Sequence, residues 1–315
     1  VDESEFAIQV REAIGRVYER IVDEMPHMAT RLQSWMRDLA GSDDPSEYFL
    51  HAAAFPLMHL PWWLERQLCG ENTPEFQRDL IGSNGSMYYY IRLVDNIMDG
   101  HATVETKLLP AAGYFIYQFE SVYHAYFTRE QPFWSWFAKT WSEFCDVTAA
   151  DGHLTDVDED LFSRLVARKV CAAKISVAAV LYRCERPDLI MPWSDWIDLF
   201  GCWHLFQEDM FDWQQDLSLG TKTYFLCEAI RRKGTDELEV SWMAREGLDW
   251  GFTTLGAWME RLRQMDFAPP EVSAYLDMRE ARLYAQRERI STALDFIRKL
   301  SDPDASNRSG HVATS

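Results

Sequence analysis

The sequence is short of lysine. Its 315 residues include only 7 Lys, and none precedes Lys107. Lys plus Arg number 31 against 50 Asp plus Glu, a net charge of −19. That deficit argues against sequence-independent binding of nucleic acid, which needs surplus cations to neutralise phosphates. It equally disfavours an anionic membrane surface. Long apolar runs are missing too. None reaches the roughly 18 residues of a transmembrane helix, so no stable membrane insertion is expected. Val1 to Glu24 is amphipathic and acidic, unlike a signal peptide. The 6 cysteines (Cys69, Cys145, Cys171, Cys184, Cys202, Cys227) form no CxxC pair and no zinc-ligand spacing. They read as scattered buried thiols in a reducing cytoplasm. Strand-like alternation, internal repeats and Ser/Gly/Pro-rich linkers are scarce or absent.

What is abundant is aromatic. The 13 Trp, 13 Tyr and 18 Phe make up 14% of the chain, enough for a large aromatic core or an aromatic-lined cavity. Phe6, Val10, Ile14, Val17 and Ile21 recur at the three-to-four-residue spacing of one buried helix stripe, and Pro26 ends it. Asp44-Pro45-Ser46 opens a second helix, expected to run to about Cys69 with kinks at Pro56 and Pro61. Gly82 to Gly85 is expected to break the chain before a helical segment from Ser86 to Gly100. Further helical runs are expected at about 107–127, 132–147, 157–184, 194–217, 235–265 and 269–300. The pattern predicts one all-α domain over 1–300, with a small polar tail at 301–315 expected to be disordered.

Two acidic clusters lie in this helical pattern. In Arg92-Leu93-Val94-Asp95-Asn96-Ile97-Met98-Asp99-Gly100, Asp95 and Asp99 are four residues apart and share a face. In Gln207-Glu208-Asp209-Met210-Phe211-Asp212-Trp213-Gln214-Gln215-Asp216, Glu208, Asp212 and Asp216 form one row, with Asp209 beside it. Like charges at such spacing repel by about 0.2–0.5 kcal/mol per pair. In a cavity, desolvation would sharpen the repulsion, and cations would have to offset it. Oxygen-only donors without His or Cys select hard ions, chiefly magnesium. Either cluster alone reads as an ordinary solvated acidic face. The pair, each embedded in large apolar residues and separated by about a third of the chain, points to a divalent-ion site.

Here the sequence resembles the class I isoprenoid (terpene) synthases. Leu93 to Gly100 is similar to the first aspartate-rich motif of trans-prenyl diphosphate synthases, with Asn96 where the second Asp stands. Phe206 to Asp212 resembles their second motif, with a shorter gap and Glu208 for the first Asp. Glu208, Asp212 and Asp216 also fall on the metal-ligand positions of the terpene cyclases' second motif, with Gly220 four residues on. The paired DxxxD motifs of squalene and phytoene synthases fit Asp95/Asp99 and Asp212/Asp216 as well. The resemblance covers about 40 residues closely. It implies an all-α isoprenoid synthase bundle with a central cavity, and magnesium bridging both motifs to a substrate diphosphate.

A diphosphate's outer oxygens call for Arg or Lys. Arg164, Arg168, Lys169 and Lys174 precede the second cluster, where the resemblance places a diphosphate-sensing cation; Arg168 is nearest in register. Lys222 follows the cluster, and Arg282 with Tyr284 resembles the cyclases' C-terminal Arg-Tyr pair, with Leu283 intervening. Candidate pocket walls are Phe55, Trp62, Tyr88, Tyr89, Phe115, Phe119, Trp203 and Phe206, whose ring faces could stabilise a carbocation. His101, His124 and His204 lie near the motifs, and no catalytic base is assigned among them.

Chain elongation would need a second diphosphate site. The family's Gly-Lys-x-x-Arg motif near the N-terminus, and its Arg pair after the first Asp motif, are both missing. The expected function is therefore a magnesium-dependent, cytoplasmic terpene cyclase. It would ionise one prenyl diphosphate, farnesyl or geranylgeranyl, and release diphosphate, with a homodimer as the candidate assembly. Head-to-head condensation or trans-prenyl transfer is the alternative. Outside this class stand a non-catalytic acidic helical interaction protein and a di-iron oxidase. The latter needs Glu-x-x-His on two helices. The chain offers one instance, Glu24 to His27, with Pro26 inside it.

Overall fold

The structure is a computed structural model that describes residues 3–98, 106–151 and 154–301. Asp99, Gly100, His101 and the polar tail beyond Ser301 lie outside the described residues. Every regular element described is helical. The chain divides into two compact units, Val1–Leu205 and Phe206–Ser315.

The first unit contains α1 (Glu3–Glu24), α2 (Ala29–Ala40), α3 (Glu47–Leu50), α4 (His59–Cys69), α5 (Pro74–Met98), α6 (Leu109–Ser121), α7 (Pro132–Asp151), α8 (Glu159–Lys169) and α9 (Cys171–Arg183). It ends in the first half of α10 (Ile190–Leu219). The predicted stripe on α1 is buried throughout: Phe6, Val10, Ile14, Val17 and Ile21. It packs against α5, whose other neighbours include α6, α9 and α4. α9 is buried on nearly every face, as its run of Ala, Val, Ile and Leu requires.

Three expectations fail in instructive ways. α5 passes through Gly82 and Gly85 without a break. A Cβ on Gly85 would lie 2.5 Å from Ile14 Cδ1, so this glycine permits close helix contact rather than a turn. The helix expected from Asp44 to Cys69 stops at Leu50 and restarts at His59. Pro61 then sits in the first turn of α4, where its missing N–H costs no helical hydrogen bond. The run at 157–184 divides at Val170, which leaves helical geometry with ψ 24°.

The second unit contains the end of α10, then α11 (Tyr224–Arg232), α12 (Glu239–Trp242), α13 (Leu248–Arg263) and α14 (Pro270–Ser301). α11 is absent from the expected elements. Thr223 starts it, its Oγ1 accepting from Leu226 N at 3.3 Å. A π turn at Met243–Gly247 joins α12 to α13. Trp242 folds over Gly247, where a Cβ would lie 2.6 Å from the indole.

Glycines with opposite surroundings give a paired test. A Cβ on Gly201 would meet Val170 Cγ1 at 2.8 Å and Val166 Cγ1 at 2.9 Å, and valines are stiff at χ1. Gly15, inside α1, has no heavy atom within 4 Å of such a Cβ. Gly15→Ala should therefore stabilise by up to ~1 kcal/mol through helix propensity. Gly201→Ala should destabilise by about 1–2 kcal/mol net, as overpacking outweighs the same gain. Thermal melts of the two variants should shift in opposite directions; a shared sign would refute the packing argument.

Candidate active site

Asp95 lies in the last turn of α5, its side chain 44% exposed. Arg92, one turn earlier, places Nη1 3.2 Å from Asp95 Oδ2. Asn96, where the resembling motif has Asp, is buried and does not share Asp95's exposure. The partner carboxylate Asp99 falls outside the described residues, so the first cluster is described through Asp95 alone.

The second cluster is complete. α10 runs helically through it, so Glu208, Asp212 and Asp216 form one stripe, as their spacing predicts. Glu208 and Asp212 are exposed, whereas Asp209 and Asp216 are half-buried. Phe206 and Met210, on the other side of this segment, are fully buried. Burial first, and the neighbouring Asp212 second, push the Asp216 carboxyl above its ordinary value. α10 stops directly after the row. Gly220 turns left-handed at φ 74°, and Thr221 N donates to Asp216 O at 3.0 Å.

The proposed diphosphate cations are placed unequally. Arg164 is exposed on α8. Arg168 reaches Asp146 of α7 at 3.2 Å, an exposed pair of small energetic weight. Lys169 is half-buried at the end of the same helix. Lys174 is engaged within the first unit: Nζ lies 2.5 Å from Asp198 Oδ1 of α10 and donates to Ala167 O at 2.6 Å. Burial pushes Asp198 up to about 6, while Lys174 opposes that shift. Lys222 is exposed in the segment after α10. Arg282 and Tyr284 are exposed on either side of buried Leu283.

The aromatic candidates fall into separate clusters. Tyr88 stacks on Tyr48 at 4.5 Å, and Tyr89 joins Trp35 and Phe115 at 6.0 and 5.5 Å. Phe119 packs with Phe137 at 5.4 Å, and Trp62 with Phe6 at 5.5 Å. Phe55 meets Phe200 at 5.4 Å, and Phe200 stacks on Trp203 at 5.7 Å. Phe206 lies among Tyr224, Trp250 and Trp258, within the second unit. Trp62, Tyr89, Phe115, Phe119, Trp203 and Phe206 are buried, and Phe55 and Tyr88 keep partial exposure. His124 stacks on Trp134 at 4.3 Å, and His204 lies edge-on to Phe55 at 5.6 Å.

Sequence reasoning missed a polar cluster beside the second acidic row. Arg279 of α14 is only 2% exposed, and it donates from Nη1 to Tyr275 Oη at 2.6 Å. Its Nη2 donates to Gln207 Oε1 at 3.4 Å, and Gln207 Nε2 donates to Gln286 Oε1 at 3.3 Å. Gln207 immediately precedes Glu208. The signal was present: Val272, Tyr275, Leu276, Arg279 and Leu283 form the buried stripe of α14, with one cation in it.

Among the described residues, no group of three or more His, Cys, Asp and Glu is gathered closely enough to hold a metal by itself. Magnesium does not require such a cage, because it commonly takes one or two carboxylates and completes its shell with water and phosphate oxygens. The donors on α10 fit that chemistry. They are all carboxylate oxygens, two are open to solvent, and a divalent ion would relieve the repulsion felt by Asp216.

No protein-family model and no curated protein matches the chain in sequence. Solved structures do match. A geranylgeranyl pyrophosphate synthetase from the archaeon Geoglobus acetivorans superposes with a TM-score of 0.59 at 14% identity, over 87% of this chain and 98% of that one. The geranylgeranyl pyrophosphate synthetase of Pyrococcus horikoshii gives 0.54 at 13% identity, over 85% and 98%. A geranylgeranyl pyrophosphate synthase from Lactobacillus brevis gives 0.54 at 13%, over 82% and 97%. Identity this low carries the fold alone: the chain has the all-α fold of the prenyl diphosphate synthases.

Proposed function

We propose that the protein is a magnesium-dependent isoprenoid synthase whose substrate is a prenyl diphosphate. The observation that carries this reading is the row Glu208, Asp212 and Asp216 on one stripe of α10, in a chain with this fold. When bound, magnesium would supply charge stabilisation to a departing diphosphate. The chain's own part is to present carboxylates on a rigid helix and to keep cations in reserve: Lys222, Arg164 and Arg168 at the surface, and Arg279 held against Gln207. No protein nucleophile is needed for ionisation of an allylic diphosphate.

Between the possible reactions, prenyl transfer is the leading reading, because the three structural neighbours described above are named as synthases of geranylgeranyl pyrophosphate. Cyclisation of a single prenyl diphosphate is the second reading. It rests on the absence of any Lys before Lys107 and of any Arg in Gly100 to Glu105. A second diphosphate entering a chain of net charge −19 would need dedicated cations.

Labelled isopentenyl diphosphate with an unlabelled allylic partner separates the two. Prenyl transfer predicts label in a longer prenyl diphosphate. Cyclisation predicts an unlabelled hydrocarbon or alcohol by gas chromatography from the allylic substrate alone. Dimers of farnesyl or geranylgeranyl diphosphate would point to head-to-head condensation. No product from any allylic diphosphate would leave the acidic scaffold reading.

Two substitutions test the metal row. Asp212→Asn should lower turnover by about 100-fold or more while the protein stays folded, because an exposed carboxylate adds little to packing. Magnesium with inorganic pyrophosphate should raise the melting temperature of the parent more than either alone, and Asp212→Asn should lose that difference. Asp216→Asn reports the repulsion directly. Its carboxyl is raised in the folded state, so the charged form detracts from stability at neutral pH, and the penalty fades as pH falls through the folded pKa. Without metal, Asp216→Asn should therefore melt higher than the parent at pH 7, by a margin that shrinks toward pH 4. A lower melting point at pH 7 would show that Asp216 is a structural carboxylate.

A further inference from the structure

Three of the six cysteines depart from the burial expected of them, and two of these three lie together. Cys69 and Cys145 are exposed, and Cys184 is half-buried. Cys69 and Cys184 bring their sulfurs to 2.6 Å across 115 residues of chain. Both lie in the first unit, Cys69 as the last residue of α4 and Cys184 as the C-cap of α9. α4 and α9 pack against each other.

The two helix ends are held in place by groups other than the sulfurs. Beyond Cys69, Gly70 turns left-handed at φ 81°. Beyond Cys184, Glu185 does the same at φ 58°, with Arg186 N donating to Leu181 O at 2.8 Å and Glu185 N to Tyr182 O at 3.3 Å. Arg183 sits between the helices. Its Nε lies 3.7 Å from Glu65 Oε1 of α4, and its guanidinium lies 4.5 Å above the Phe76 ring. Arg183 Nη2 donates to Thr73 Oγ1 at 3.3 Å. Glu65 in turn accepts from Gln77 Nε2 at 2.7 Å and from Thr73 N at 3.1 Å. With the sulfurs already in contact, joining them requires little backbone movement, and distortion of native geometry is a common reason that introduced cross-links fail to stabilise.

We propose that Cys69 and Cys184 form a reversible intramolecular disulfide, stapling the end of α4 to the end of α9, when a low-molecular-weight disulfide such as oxidised glutathione is in excess. The exposed Cys69, as thiolate, attacks one sulfur of the glutathione disulfide, and one glutathione thiolate leaves. Cys184 loses its proton to water and attacks the Cys69 sulfur, and the second glutathione thiolate leaves. Two protein thiols are oxidised, and one disulfide is reduced to two thiols. Burial and the adjacent Cys69 push the Cys184 thiol up, which lowers its thiolate fraction and so slows its attack. Contact with the Cys69 sulfur compensates through high effective concentration.

The test uses the full chain, incubated with oxidised glutathione, quenched in acid and digested without reduction. The expected result is a peptide pair joined through Cys69 and Cys184, 2 Da lighter than the sum of its reduced parts and cleaved by dithiothreitol. On non-reducing gels the oxidised protein should run as a single chain. Oxidation should also raise the melting temperature by roughly 5 °C or more, given the length of the closed loop. Cys69→Ser and Cys184→Ser should each lose that rise. Glutathione retained on Cys69 beside a free Cys184, cross-links between chains, or an equal rise in Cys184→Ser would each overturn the proposal. Unreacted Cys69 and Cys184 under conditions that modify the exposed Cys145 would overturn it too.

Discussion

A helix can carry a row of like charges only if its other faces hold it in place. α10 meets that condition with aromatic burial. Trp193, Trp196, Phe200, Trp203, Phe206 and Met210 are all essentially inaccessible along it. Each large apolar side chain contributes about 1.5–3 kcal/mol on burial. The repulsion along Glu208, Asp212 and Asp216 amounts to about 0.2–0.5 kcal/mol per neighbouring pair. The row is thus a tolerated cost, and Asp216, half-buried beside Asp212, is where the cost is felt. Hydrophobic packing, not a bound ion, is what keeps α10 helical through the acidic row.

The same logic governs charges inside the first unit, where they are matched locally. Lys174 and Asp198 pair at 2.5 Å within α9 and α10, and Glu65 is satisfied by Gln77, Thr73 and Arg183. Removing one partner of such a pair leaves an uncompensated buried charge, which costs more than the pair contributes. Lys174 is accordingly engaged in the described structure, whereas Lys222 and Arg164 are open to solvent. Among the candidate cations, position relative to the core separates those held by the fold from those exposed to an incoming anion.

The aromatic richness of the chain has a similar explanation. Tilted, stacked and edge-on ring pairs link α5 to α6, α6 to α7, and α10 to α11 and α13 within their units. Most of the rings suggested as cavity walls are consumed in this packing. Composition alone does not distinguish a ring that faces a cavity from one that fills a core, because both are apolar at helical spacing.

Hydrophobic periodicity was enough to establish the all-α class, the buried stripe of α1 and the extent of α14. Charge spacing was enough to place Glu208, Asp212 and Asp216 on one stripe, because that depends only on the helical repeat. What the repeat does not encode had to come from tertiary structure. Gly82 and Gly85 read as a break, yet α5 continues through both, and Ile14 of α1 occupies the space a side chain at Gly85 would need. Arg279 carried no role in the sequence pattern, yet it is buried against Tyr275 and Gln207. Cys69 and Cys184 read as unrelated thiols, yet the packing of α4 on α9 brings their sulfurs into contact. In each case local sequence sets what a segment can form, and only the neighbour across the helix interface decides what its glycines, charges and thiols meet.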